Sequence, residues 1–385
     1  MEQFIIPLDY GTLRVVWWAL MGALLIGFAV MDGFDLGVAA LLPVVARTDA
    51  ERRVVINVVG PVWEGNQVWL ITAGGAIFAA WPLLYAASFS GLYLAMLLLL
   101  VALIIRPAGF KYRSKFEGTR WRARWDMLLC ASGVVASLVF GVAMGNILQG
   151  VPFGADPATL RPVYEGSFFA LFNPFALLAG VLSVAMLVTH GAVLLAWRTE
   201  GPVAARARQW ARGGAVLTAL LFALGGVWIA SGIEGYSITS AIVPDGASNP
   251  AAKTVTVSAG AWMQNYDRWP LAWAAPALGV GMALLAALLV SLRRNALAFV
   301  ASALAISGII LTVGLSMFPF IMPSTLDPRA SLTVWDASSS HLTLWIMLLV
   351  TLIFLPIVTA YTSWVYRVMR GKVTEHTVGD TPNSY

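Results

Sequence analysis

Cysteine is almost missing from this 385-residue chain: Cys130 stands alone in an apolar run. No internal disulfide and no cysteine metal cluster can form. Histidine is nearly as scarce, with only His190, His341 and His376. Charged residues make up 11% of the chain, against about 25% in a soluble domain. The first dozen residues carry Glu2 and Asp9 but no Lys or Arg before Arg14. A secretory signal opens on positive charge, so the first apolar run is expected to stay as a span. There is no Cys-x-x-Cys-His, no Rossmann glycine pattern and no phosphate loop. A net charge of +5 is too small to suggest nucleic acid as a partner.

What fills the chain is hydrocarbon. Hydrophobic residues reach 59%, and the mean hydropathy is +0.80. This composition predicts an all-α polytopic membrane protein forming one integral membrane domain over 1–385. Nine apolar segments, near 13–43, 61–81, 83–105, 127–149, 168–197, 211–233, 269–292, 296–320 and 341–366, can each cross ~30 Å of hydrocarbon with ~20 residues. A tight outer turn at Trp81-Pro82 separates the second and third, since proline disfavours helix at the residue before it. With this count, 19 of the 24 Lys and Arg fall on one side. The other side keeps Arg14, Arg161, Lys253, Arg268 and Arg329. The positive-inside rule then places the amino terminus outside and the carboxyl terminus inside.

The longest connection, 235–268, is an outer loop, ordered by a partner or solvated. The basic segment 106–126, with Trp121 and Trp125, reads as an orientation signal at the lipid headgroups. The tail 373–385 is polar and expected to be flexible. No internal repeat is evident.

The candidates for chemistry are acids held in apolar segments. Asp32 and Asp35 are three residues apart on one face of the first span. Glu64, Asn66 and Gln67 sit at the start of the second, and Arg106 closes the third. All lie towards the inner face. Intramembrane carboxylates commonly serve proton relays, so Glu64, Asp32 and Asp35 are proton-pathway candidates. The competing reading is that Arg106, with Asn66 and Gln67, pairs structurally with them and ties helix ends together. Trp63 and Trp69 bracket Glu64 and could line a path for oxygen or quinone, or pack like ordinary aromatics. The histidines read as hydrogen-bonded packing residues, and no metal or haem is assigned to the chain.

The residues then match a family. Met31-Asp-Gly-Phe-Asp-Leu-Gly37, Trp63-Glu-Gly-Asn-Gln-Val-Trp69, Phe78-Ala-Ala-Trp-Pro82, Arg106-Pro-Ala-Gly-Phe110, Gly145-Asn-Ile-Leu-Gln-Gly150 and Asn173-Pro-Phe-Ala-Leu-Leu-Ala-Gly180 occur in order. So do Gly260-Ala-Trp262, Met317-Phe-Pro-Phe320 and Trp335-Asp-Ala337. Over almost its whole length the chain resembles subunit II of the cytochrome bd-type quinol oxidases, the cyanide-insensitive branch included. The resemblance implies two four-helix bundles plus one peripheral helix in a bacterial inner membrane. It implies a haem-bearing subunit I as partner, holding haems b and d or b alone, and small single-span accessory subunits. The assembly would oxidise quinol and reduce oxygen to water, electrogenically, with protons drawn from the cytoplasm. Subunit II would be haem-free, would stabilise its partner, would help deliver protons and could hold a structural quinone among its lipids. The family also carries aspartate where Glu64 stands. Two other readings remain: a carboxylate-coupled secondary transporter, which should show an inverted repeat, and a purely structural partner subunit.

Overall fold

A computed structural model describes residues 6–156, 158–159 and 161–379. Helix α1 (Tyr10–Val45) is the axis around which the rest is arranged. At 36 residues it is ~54 Å long, well beyond the hydrocarbon thickness. Its outer half is buried on one side, whereas from Asp32 to Leu42 every residue is buried. A helix buried all round needs neighbours on every face. They are α2 (Asp49–Val59), α3 (Trp63–Ala80), α6 (Thr119–Gln149), α7 (Pro174–Arg198) and α11 (Asn295–Met317).

The remaining helices are α4 (Pro82–Gly91), α5 (Tyr93–Tyr112), α8 (Gly201–Ser231), α9 (Gln264–Arg268), α10 (Ala274–Ser291), α12 (His341–Val368) and α13 (Glu375–Gly379). Helices α1, α3, α5 and α6 form one bundle, and α7, α8, α10 and α11 a second, joined where α1 packs on α7. Helix α12 touches only the rim, against α1 and α3. Eight of the described helices are long and apolar enough to cross a membrane. Helix α3 is the ninth segment; its 18 residues span ~27 Å, but Glu64, Asn66 and Gln67 dilute its hydropathy. The all-α polytopic architecture is therefore present.

Several boundaries differ from the hydropathy reading. The break expected at Trp81-Pro82 is present, and the expected third span at 83–105 is two helices, α4, which starts at Pro82, and α5, separated at Leu92. Helix α5 continues through Arg106 to Tyr112, because the side chain of Arg106 is neutralised inside the protein rather than sent to water. The inner segment after α1 forms α2, started by a capping box in which Thr48 and Glu51 exchange side-chain and backbone hydrogen bonds.

Small residues set the bundle contact. A Cβ on Gly37 would strike the carbonyl of Leu187, and one on Gly191 the backbone at Gly37–Val38. Only paired glycines let α1 and α7 cross this closely.

The outer connections are folded by the chain itself. Strands β1 (Phe153–Ala155) and β2 (Pro162–Tyr164) pair, as do β3 (Glu234–Ile238) with β4 (Val255–Ala259) and β5 (Phe320–Met322) with β6 (Leu332–Thr333). The expected partner-ordered or solvated loop at 235–268 is thus a hairpin, a short turn and α9. It is tethered by Lys253 to Asp336 at 2.8 Å and by Arg14. Of the tail, residues 373–379 dock on the inner end: the Val373 amide donates to the Arg198 carbonyl, and Val378 is buried. Residues 380–385 lie outside the described residues.

Candidate functional site

At the inner end of the first bundle, four helices deliver polar side chains into one dry pocket of packing. Asp32 and Asp35 come from successive turns of α1. Arg106 comes from α5, Asn66 from the first turn of α3 and Tyr366 from α12. Asp32, Asp35 and Arg106 are fully buried, and Asn66 is 2% exposed.

Asp32 holds the guanidinium bidentately: Arg106 Nη1 donates to Oδ2 at 3.0 Å and Nη2 to Oδ1 at 2.5 Å. This fork-to-fork geometry is the strong form of the pair. Asp35 lies farther away, with Oδ2 at 3.9 Å from the same Nη2. Its closer partner is the Asn66 amide, which donates to Oδ2 at 2.8 Å. Tyr366 in turn donates to Asn66 Oδ1 at 2.7 Å, which fixes the amide's orientation. Two atoms are left over: Asp35 Oδ1 and Arg106 Nε are buried with no hydrogen-bond partner. Such orphans are rare, because each costs ~1–3 kcal/mol.

Glu64 does not join this cluster. It is exposed, and its nearest partner is Lys111 at 3.7 Å. Side chains two residues apart on a helix point ~200° apart, so turning Asn66 towards Asp35 turns Glu64 outward. Trp63, one turn before Asn66, is buried against Phe110 with ring centroids 5.4 Å apart. Trp69 is partly buried and packs over Gly27 of α1. Gln67 is half-buried and makes no side-chain hydrogen bond.

No pattern in the sequence marks Tyr366, a single hydroxyl in an apolar span. It also hid a second ionic group below the first. Asp126, at the start of α6, takes Arg113 Nε at 2.5 Å and Arg52 at 2.9 Å. Asp49 takes Arg113 at 2.8 Å and Arg122 at 2.7 Å. This network binds α2, α6 and the end of α5. A capping signal, Thr48 followed by Glu51, was the legible trace of α2.

His190 is buried among the helices with both ring nitrogens engaged. Its Nε2 lies 3.0 Å from the Val30 carbonyl and its Nδ1 2.7 Å from the Ser302 hydroxyl. A carbonyl can only accept, so Nε2 carries the proton, and Nδ1 faces the Ser302 hydroxyl, which also lies 2.9 Å from the Phe299 carbonyl. The ring is also stacked on Phe299 at 4.6 Å. No nitrogen is left to bind iron. His341 bonds the Leu8 carbonyl at 2.8 Å. Among the described residues no group of three metal-binding side chains converges.

The fold and the site define an all-α polytopic membrane protein with a carboxylate–guanidinium knot buried at one end. The profile of the family "Cytochrome bd terminal oxidase subunit II" matches residues 13–369, and the chain belongs to that family. It is 52% identical to cytochrome bd-I ubiquinol oxidase subunit 2 of Escherichia coli K12, over 96% of this chain and 98% of that one. It is 50% identical to a probable cytochrome oxidase subunit 2 of Haemophilus influenzae, over 98% and 99%. The fold is similar to that of the bd oxidase from Geobacillus thermodenitrificans, with a TM-score of 0.68 at 18% identity over 93% of this chain and 98% of that one.

Proposed function

We propose that this chain is the haem-free subunit of a quinol:oxygen oxidoreductase in a bacterial inner membrane. It supports the haem-bearing subunit I and gathers protons from the cytoplasmic side for reduction of oxygen to water. The haems of the partner would supply the redox chemistry. This chain's residues supply position and protons.

The observation that carries the reading is the unpaired Oδ1 of Asp35. Two buried carboxylates share one guanidinium, and Asp32 already holds it bidentately. With both acids ionised the knot carries one negative charge in excess, which is costly where water is excluded. One proton on the pair balances it. Asn66 occupies Oδ2 of Asp35, so Oδ1 is the open seat for that proton or for a water that brings it. A cavity of about 100 Å³, lined by Asn57, Pro61, Arg198 and Tyr366, lies at the inner end. It supports an entrance from the cytoplasmic side, the side that carries most of the Lys and Arg.

Glu64 takes a different place in this reading. On the outer face of α3, among exposed Val68, Ile71 and Phe78, it is set towards a neighbouring subunit rather than towards Asp35. Asp32 and Asp35 hold the proton, and Glu64 meets the partner. Trp63 and Trp69 are packing residues, and no quinone or oxygen path is drawn through them.

A scaffold reading is favoured by one observation, the bidentate tie between α1 and α5. Turnover of the intact assembly separates the two. Asp35→Asn should leave assembly and haem spectra as in wild type while slowing oxygen consumption. Full turnover in Asp35→Asn leaves the scaffold alone. Recovery of the chain without a haem protein from native membranes would support a transporter instead.

A further inference from the structure

At the inner end of the second bundle, α8 and α11 both begin without a side-chain cap: the residues at their N-cap positions, Glu200 and Arg294, bond no first-turn amide. Their first residues line a cleft of about 630 Å³. Around it stand Arg208, Arg293, Arg294 and Lys372, with Glu200 as the lone acid. Glu200 is spent on Lys372 at 2.8 Å. Arg208, Arg293 and Arg294 have no carboxylate partner among the described residues. Arg198 fixes the rim by holding the carbonyls of Met369 and Gly371, which brings Lys372 to the edge.

The turn between α10 and α11 adds an independent sign. The Arg293 amide donates to Val290 and that of Arg294 to Leu289, the paired bonds of a Schellman motif. Its left-handed position is normally glycine. Here it is Arg293, with φ of 59°, the only non-glycine residue with positive φ among those described. Glycine would adopt this conformation without the close contact that a Cβ makes with the backbone. What Arg293 brings is a third guanidinium beside two helix N-termini, whose amides and dipoles favour anions.

We propose that this cleft binds a phosphate-bearing anion, either the headgroup of an anionic phospholipid or a soluble phosphate. The three unpaired guanidiniums would take the phosphate oxygens as donors, and the open amides of α8 and α11 would complete the shell. Asn295 stands beside the cleft at the start of α11, its Nδ2 donating to the Ala196 carbonyl at 2.7 Å. Exposed Trp197 and Leu297 flank the cleft and offer apolar surface to acyl chains. The guanidiniums lie at the same end of the molecule as Arg198 and Lys372.

The test is native mass spectrometry of the purified assembly with phosphatidylglycerol, with inorganic phosphate titrated as the soluble competitor. Wild type should retain one lipid more than Arg208→Gln/Arg294→Gln or Arg293→Gly, with affinity falling about fivefold per guanidinium removed. Arg293→Gly also relieves the turn, so its thermal stability in neutral phosphatidylcholine nanodiscs should match or exceed wild type. Lost binding then cannot be lost folding. Displacement of the lipid by phosphate would assign the cleft to a soluble ligand, and resistance would assign it to the headgroup. Equal lipid retention in wild type and both variants, with no effect of phosphate, would overturn the proposal.

Discussion

Helix α1 buries charge twice, and the two places are built to opposite standards. Near its outer end Arg14 is fully buried. It donates to Ser338 at 2.7 Å, to the Gly246 carbonyl and the Ser248 hydroxyl at 3.0 Å each, and to the Pro244 carbonyl. Tyr10 covers its face at 3.6 Å. Every nitrogen of this guanidinium has a partner, and the partners are neutral loop groups. At the inner end Arg106 has two carboxylates nearby, yet its Nε and Asp35 Oδ1 are left without partners. A site that only holds structure can be closed completely. Under the proposed function a proton site keeps an acceptor open, and Asp35 Oδ1 is that acceptor.

The largest effect expected from breaking this contrast is Arg106→Gln. It strands two buried carboxylates, and losing one partner of a buried pair costs ~3–5 kcal/mol. Little assembled protein should be recovered from membranes, and spectra of the purified material would measure it. Arg14→Gln should come next. Hydrogen bonds from a charged group are worth ~1.5–3 kcal/mol each, but several neutral acceptors can turn to water. The outer hairpin should become sensitive to protease while oxygen consumption by the remaining assembly stays near wild type.

Smaller effects sharpen the picture. Tyr366→Phe removes one hydrogen bond, ~1 kcal/mol, and frees Asn66 to turn. Turnover should fall by less than in Asp35→Asn, and thermal stability only slightly. The gentlest test is acid. Partial burial pushes the Glu51 carboxyl up, but the amides of Arg47 and Thr48 and the Arg206 side chain outweigh it and hold it below its ordinary 4.5. A depressed acid contributes stability above its unfolded value, and that contribution is lost as pH falls through the lowered one. Amide exchange in α2 should therefore accelerate below about pH 4.5, and Glu51→Gln should make it insensitive to pH there.

How much of this was legible in the sequence follows from the range of the forces involved. Spans are local, so hydropathy found them, and the three-residue spacing of Asp32 and Asp35 correctly put both on one face. Hydropathy also ended the third span at Arg106, where the helix in fact continues, because the neutralising Asp32 lies on another helix. Glu64 was grouped with the aspartates by depth alone. The azimuth on α3, fixed by the Asn66–Asp35 bond, sends it outward, and no pattern within α3 encodes that bond. The folded outer loop was invisible for a similar reason: its anchors, Arg14 and Asp336, are more than eighty residues away from the atoms they hold.

The most direct test of a proton held between Asp32 and Asp35 is the infrared difference spectrum of the working assembly, recorded in H₂O and D₂O. The account predicts a protonated-carboxyl band that shifts in D₂O, is present in wild type and Glu64→Gln, and is absent in Asp35→Asn. A band that survives in Asp35→Asn, or no such band in wild type, would contradict it.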